Sequence, residues 1–295
     1  METVEGFIKD AFEELKDIEQ RLDAYASDEH VKRLLRLFGG DVTWTLKRDI
    51  IEMRIRNSFS LAKILRNRGD LEGAGEYFKT CWQMNRELGL LIGELSSWLL
   101  YVSVAVLKDG VQNAKVKTLE GEELSALDHF KRIWEIICEQ PSRMTAELYV
   151  NVLSDYVLAN LIINKKYPND YNEEKFKMGG IHPPLLGLAY LVERANDLPH
   201  RCAKEEALKE PRELERQRPN TSVESVFSYI LDFIINDDFD NASLHAEVAA
   251  KQRGPSTMIA RLFSELAEAT KARKLDEVLD KLTRLFYYHF AWNLG

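Results

Sequence analysis

Hydrophobic and polar residues follow a three-to-four-residue spacing along most of the chain, which is typical of amphipathic helices. The first such segment has apolar side chains at Phe7, Ile8, Phe12, Leu15, Ile18 and Leu22. The second runs from about Thr43 to Arg68, with apolar side chains at Ile50, Ile51, Ile55, Phe59, Ala62 and Leu65. The turn RGDLEGA, residues 68–74, then begins a helix that ends near Leu88 and Gly89, so the pattern predicts a helical hairpin.

Further helices are predicted at residues 122–139, 145–164, 183–206, 223–235, 242–251, 256–272 and 275–292. No run alternates with a period of two between hairpin turns, so no strands are predicted. The pattern therefore predicts an all-α fold, an antiparallel multi-helix bundle that forms a single domain over residues 1–295. Loops or insertions are expected near 108–122, 164–184 and 207–222, which are rich in charged, polar and turn-forming residues.

One segment, Leu90 to Leu107, has the length and apolar composition of a membrane span. Its charged residue Glu94 and its serines argue against insertion, because a charge in the middle of a bilayer is costly. We interpret the segment as a buried core helix, and we expect no membrane association.

The chain carries 40 Lys and Arg against 48 Asp and Glu, a formal net charge of −8. The molecule as a whole repels polyanions, so nucleic-acid binding would need a local basic face. Its three cysteines, Cys81, Cys138 and Cys202, form no CxxC pair, and the N-terminus has no cleavable leader. These features predict a reducing, cytoplasmic location with no structural zinc or disulfide.

One predicted helix is strongly basic and supplies the local face that polyanion binding requires. Because several Lys and Arg on one helix neutralise phosphates, the pattern predicts binding of RNA or single-stranded DNA. The alternative is a solvated helix face paired with acidic neighbours, and the nucleic-acid hypothesis fails if such neighbours cover the cations. The candidate binding residues are Lys47, Arg48, Arg54, Arg56, Lys63, Arg66 and Arg68, with only Asp49 and Glu52 opposing them.

Carboxylates within apolar helices are the candidates for catalysis. Helix 145–164 is apolar almost all round, yet Glu147, Asn151 and Asp155 recur on one of its faces. If Asp155 met Glu193 and Asp197, the three could hold Mg²⁺ or Mn²⁺ for phosphodiester cleavage, with Asp155 and Glu193 as the candidate ligands. The alternative is a structural polar stripe, and no cofactor is then needed.

Four segments, in the same order along the chain, resemble the translin and Trax family. LLGLAYLVERAND, residues 185–197, resembles the family's leucine-leucine-glycine-leucine-alanine-aspartate segment, and DYVLANLII, residues 155–163, is similar to its EYVEA helix. Residues 47–74 resemble its basic helix and the turn that follows, and residues 275–295 resemble its closing helix. The resemblance implies a homo-oligomer that encloses a nucleic acid. Where nuclease-type members have Glu-x-x-Glu plus Asp, this chain has Asp155, Leu158 and Tyr190, which implies that the family's metal site is degraded.

The predicted function is therefore nucleic-acid binding by a translin-like oligomer that is not an enzyme. Two alternatives stay open, a metal-dependent endoribonuclease that uses Asp155, and a non-enzymatic helical adaptor. The adaptor would dock a partner protein through the basic helix or through aromatic residues near the C-terminus. Those aromatic residues are Phe286, Tyr287, Tyr288, Phe290 and Trp292.

Overall fold

The computed structural model describes residues 4–28, 42–166, 168, 191–192, 194–195, 234, 236, 238–250 and 256–293. The described residues are predominantly helical, which confirms the predicted all-α helical bundle. The helices are α1 (Val4–Ser27), α2 (Val42–Asn67), α3 (Leu71–Glu87), α4 (Leu91–Asp109), α5 (Ala126–Glu139), α6 (Ala146–Asn164), α7 (Phe239–Ala250), α8 (Ser256–Lys271) and α9 (Leu275–Asn293). A short 3₁₀ turn, Pro141–Arg143, lies between α5 and α6.

The predicted hairpin between α2 and α3 is confirmed, and local residues explain its turn. Gly69 has φ of +84°, a left-handed conformation that glycine adopts without strain. Asp70 caps α3 by accepting a hydrogen bond from the Gly73 amide at 2.9 Å. The chain therefore reverses within three residues, and α3 packs back on α2.

The first four helices pack in chain order: α1 on α2, α2 on α3, and α3 on α4. Their shared core is formed by fully buried side chains such as Leu61, Phe78, Trp82 and Leu95. The Trp82 and Trp98 rings stack with centroids 4.6 Å apart, which joins α3 to α4. These helices thus form a sequential antiparallel stack.

Helix α4 is the segment whose composition suggested a membrane span. Among the described residues it is the one helix long and apolar enough to cross a bilayer, and half of its most apolar stretch is buried within the protein. Its buried residues include Leu95, Trp98 and Val102, which face the core. These contacts agree with a core helix, and the absence of membrane association stays a prediction.

The prediction that the chain contains no strands is wrong, because a short antiparallel hairpin occupies part of the predicted 108–122 loop. Strands β1 (Lys115–Lys117) and β2 (Glu123–Ser125) pair with Val116 opposite Leu124. Each strand has three residues, too few for alternation to be recognised in the sequence. The hairpin also moves the start of α5 from residue 122 to Ala126, where Ser125 caps the helix through the Asp128 amide.

The chain divides into two compact units, Met1–His129 and Phe130–Gly295. In the second unit α7 packs on α8, α8 on α9, and α9 on α6. Thr145 caps α6 by accepting a hydrogen bond from the Leu148 amide at 3.2 Å, as its place before the apolar run predicts. The single domain over residues 1–295 stays a prediction. The predicted loops at 164–184 and 207–222, and the helices at 183–206 and 223–235, lie almost wholly outside the described residues.

A buried hydrogen-bonded histidine connects α4, α5 and β1 in the first unit. The Trp98 indole N–H donates to His129 Nδ1 at 2.9 Å, and His129 Nε2 lies 3.0 Å from the Val116 carbonyl oxygen. Because Nδ1 accepts, Nε2 carries the hydrogen and donates it to the carbonyl. His129 is fully buried, so these bonds hold the hairpin against the helices.

We expect His129→Phe to lower the free energy of unfolding by about 1–3 kcal/mol, because it leaves the buried Trp98 N–H without this acceptor. The measurement is urea unfolding of the wild type, His129→Phe, Trp98→Phe and the double variant. The double variant should lose less than the sum of the two single losses, because it removes donor and acceptor together. Additive losses would contradict a direct Trp98–His129 bond.

Candidate interaction surface

The structure pairs four of the seven candidate nucleic-acid-binding residues with carboxylates. Lys47 binds Asp23 at 2.7 Å, and Arg48 binds Glu52 of its own helix at 2.9 Å. Arg54 pairs with Glu19, and Arg68 pairs with Glu5. Three of these carboxylates come from α1. The nucleic-acid hypothesis required a basic helix whose cations stand free at the surface. The structure instead pairs four of the seven cations with carboxylates.

Arg54 is the least exposed of the four paired cations. Its side chain is 15% exposed, and its guanidinium lies 5.1 Å from the centre of the Phe12 ring. The Phe12 ring also meets Tyr77 edge to face, with centroids 6.2 Å apart. Arg54 thus contacts both the carboxylate and the aromatic ring that α1 brings to α2 and α3.

Arg66, at the end of α2, is buried rather than available to a phosphate. Its guanidinium donates to the Asn67 side-chain oxygen, from Nε at 3.2 Å and from an amino nitrogen at 2.9 Å. Burial lowers the pKa of Arg66. A residue that is 7% exposed cannot meet a large polyanion, so Arg66 serves the packing of α2.

The two remaining candidates, Arg56 and Lys63, form no ion pair among the described residues. Arg56 is exposed, and Lys63 lies half-buried with its ammonium 5.3 Å from the Phe59 ring centre. Arg56 shares one face of α2 with Leu46 and Met53, which are 46% and 44% exposed. We call Leu46, Met53 and Arg56 the outer stripe of α2.

Helix α1 meets α2 through ion pairs and through half-buried rather than buried side chains. None of its side chains from residue 5 to residue 24 is buried, and Phe7 and Ile18 are exposed. Lys9, hydrogen-bonded to Glu5, lowers the pKa of that carboxyl, and Arg68 lowers it further. The hydrogen bond to Asp23 raises the pKa of Lys47. Both shifts favour the charged forms, which is what the ion pairs at the two ends of α1 require.

The ion pairs explain why charge counting alone overestimated the basic face. Helix α1 contains seven carboxylates and three basic side chains, so it is a strongly acidic partner for α2. The acidic excess is visible in the sequence, but its orientation toward α2 is a tertiary property. The outer stripe has a sequence signal, because Leu46, Met53 and Arg56 follow a three-and-seven spacing, yet exposed and buried positions cannot be separated by spacing alone.

A groove of about 190 Å³ lies where α3, α4 and β1 meet. Gly75 and Tyr101 line it, and burial raises the pKa of the Tyr101 hydroxyl. Its rim carries Lys115 and the ion pair between Lys108 and Glu72, with 3.8 Å between nitrogen and oxygen. Cofactor sites are usually larger, roughly 300–1,000 Å³, so this groove is a poor candidate for one.

Of the three carboxylates proposed for catalysis the structure describes only Asp155, so their meeting stays a prediction; the described residues contain no group of three potential metal ligands. Asp155 is buried, and burial raises its pKa well above the ordinary value, so its protonated form is favoured. Leu158, which only the resemblance to translin and Trax associates with a metal site, is buried too. The described part of the chain does not include Tyr190, Glu193, Asp197 or the side chain of Glu147.

The C-terminal aromatic residues do not form a described docking surface. Phe286 is fully buried and meets Phe130 edge to face, with centroids 6.4 Å apart. Tyr287 is half-buried. The side chains of Tyr288, Phe290 and Trp292 lie outside the described residues, so Phe286 is a core residue, as its apolar spacing allows.

Comparison with known proteins gives no family for this chain. Its sequence matches no protein-family model and no curated protein, and its fold matches no solved structure. The relation to translin and Trax, with the oligomer and the degraded metal site that it implies, stays a prediction.

Proposed function

We propose that the chain is a non-enzymatic helical interaction protein whose docking surface is formed by its first helices. The observation that carries this proposal is the outer stripe of α2, where two large apolar side chains remain exposed beside a cation. Helices that stack in chain order leave long side faces open, and such faces serve as binding surfaces in helical repeat proteins. Leu46 and Met53, seven residues apart, lie on the same face.

The partner that best fits the outer stripe is a second copy of the chain. The stripe is apolar and basic, whereas the side of α1 that faces away from α2 carries the exposed carboxylates Asp10 and Glu14. Phe7 and Ile18, eleven residues apart on one side of α1, add exposed apolar surface. The two surfaces are complementary in charge and both contain apolar side chains, which favours a self-complementary contact.

We expect the purified chain to be a homo-oligomer by light scattering, and Leu46→Glu with Met53→Glu to reduce its mass to that of the monomer. In the contact between two copies, the two introduced carboxylates would lose their bound water without gaining ion-pair partners. The matched control is Leu244→Glu with Val248→Glu on α7, where the replaced side chains are 55% and 54% exposed. A monomeric wild type, or equal loss of mass in the control, would contradict the proposal.

Nucleic-acid binding is the second candidate function, and one observation favours it. The three ion pairs from α1 cover the basic helix, but no side chain of α1 between residues 5 and 24 is buried. Departure of α1 would therefore expose Lys47, Arg54 and Arg68 to a polyanion. The same scattering measurement with a single-stranded 20-nucleotide oligouridylate tests it. A rise in mass that disappears as salt is added would favour this candidate.

A further inference from the structure

Helix α1 lies along α2 and is joined to it by ion pairs over its whole length. The two helices run antiparallel, since Glu5 meets Arg68 at one end while Asp23 meets Lys47 at the other. Glu19 and Arg54 pair between them. The three cations lie on the side of α2 that α1 covers, and we call Lys47, Arg54 and Arg68 the inner basic face.

Apolar side chains of α1 are half-buried beside these ion pairs, namely Ile8, Phe12, Leu15 and Leu22. Phe12 packs against the Tyr77 ring and beneath the Arg54 guanidinium. Elsewhere between residues 5 and 24 the side chains of α1 are half-buried or exposed. A helix held by ion pairs and by half-buried apolar side chains is held more weakly than α4, many of whose side chains are buried.

We propose that α1 is a displaceable internal ligand, and that the inner basic face binds an acidic amphipathic helix of a partner protein in its place. The proposal rests on the proposed interaction function, because it names the partner chemistry and the regulation of the same helix pair. In the closed form α1 occupies the face. A partner helix binds when α1 leaves.

The spacing of the inner basic face favours an acidic helix over a nucleic acid. Lys47 and the end of α2 at Asn67 are separated by about 30 Å of helix, and the face has three cations over that length. A nucleic acid places phosphates much more densely, so three cations would neutralise few of them. An amphipathic helix instead offers carboxylates about one and four turns apart, and an aromatic side chain that packs between Arg54 and Tyr77, as α1 does.

The test uses the full chain and a fluorescein-labelled peptide with the sequence of Val4–Ser27. In one variant Glu5→Gln, Glu19→Gln and Asp23→Asn remove the carboxylates that hold α1. We expect this variant to bind the peptide about tenfold more tightly than the wild type in fluorescence anisotropy, because the open form is more populated. The control, Glu13→Gln with Asp17→Asn and Glu268→Gln, changes the net charge equally at exposed carboxylates outside the inner basic face and should bind as weakly as the wild type.

Hydrogen exchange of the α1 amides gives a second measure that does not depend on any ligand. The three changes at Glu5, Glu19 and Asp23 should speed exchange in α1 and leave α3 protected, which also shows that the variant is folded. Equal peptide affinity in all three proteins, or unchanged exchange in α1, overturns the proposal. Binding of the 20-nucleotide oligouridylate by the variant without binding of the peptide also overturns it and assigns the face to nucleic acid.

The two functional proposals can fail separately. Self-association is proposed to join Leu46 and Met53 to the side of α1 that carries Asp10 and Glu14, and the peptide test changes none of these four residues. A wild type that stays monomeric while the variant binds the peptide would remove self-assembly and keep the inner basic face as a docking site. If the wild type is an oligomer and the variant shows no faster exchange in α1, self-assembly is kept and the displaceable α1 is removed.

Discussion

Replacing Gly93 with alanine is expected to destabilise the protein by about 1–3 kcal/mol, because the added methyl group overpacks the turn between α3 and α4. A Cβ at Gly93 would overlap the Asn85 amide oxygen and lie 2.7 Å from Asn85 Cγ. The Asn85 amide cannot move at low cost, since it is buried and donates to the Cys81 carbonyl at 2.8 Å and to Ser97 Oγ at 3.2 Å. Urea unfolding of the purified protein measures the loss.

Gly75→Ala is the matched control, and we expect the opposite sign. A Cβ at Gly75 would lie 3.9 Å from the side chains of Tyr101 and Val104, an ordinary contact. Alanine in a helix interior is more stable than glycine by roughly 0.5–1 kcal/mol, so Gly75→Ala should raise the free energy of unfolding. Similar effects at both positions would contradict the close approach of α3 and α4 at Gly93.

The second large effect concerns Asp155, whose replacement by asparagine should stabilise the protein at neutral pH and not at acidic pH. Burial raises the pKa of Asp155 well above its ordinary value of 3.8, so the folded state holds the proton more tightly than the unfolded state does. The stability that comes from this proton is complete below the unfolded pKa. It is lost as the pH rises through the folded pKa.

Asparagine does not titrate, so the advantage of Asp155→Asn should grow by about 1.4 kcal/mol for each pH unit between the unfolded and the folded pKa of Asp155. The measurement is the free energy of unfolding of both proteins from pH 4 to pH 8. Glu268→Gln, at an exposed carboxylate on α8 in the same unit, should leave the pH dependence unchanged. A constant difference between wild type and Asp155→Asn would show that the carboxyl is ionised in the fold.

Those features of the fold that depend on local spacing could be predicted from the sequence. Helices α2 and α6 begin and end within about two residues of their predicted limits, because apolar periodicity and a residue such as Thr145 act over a few positions. The turn at Gly69 and Asp70 was recognised for the same reason. The hairpin of β1 and β2 was missed, because three-residue strands are stabilised by packing on other elements more than by their own pattern.

The candidate site could be predicted from the sequence only in part. Counting charges identified α2 as basic, yet Lys47, Arg54 and Arg68 meet carboxylates that lie 24, 35 and 63 residues away. Pairs at such separations have no fixed spacing, and no local rule predicts them. The outer stripe, by contrast, is marked by spacing along one helix, and the structure supplied only the knowledge of which side faces outward.

By itself the sequence determined that the chain is built from helices, where several of them begin and end, and that one of them is rich in cations, because these properties follow from neighbouring residues. Only the tertiary structure decided that an acidic helix covers those cations, that Asp155 is buried, and that Leu46 and Met53 remain exposed. Burial and charge pairing depend on which helices meet, and that choice is made by the packing of the whole chain.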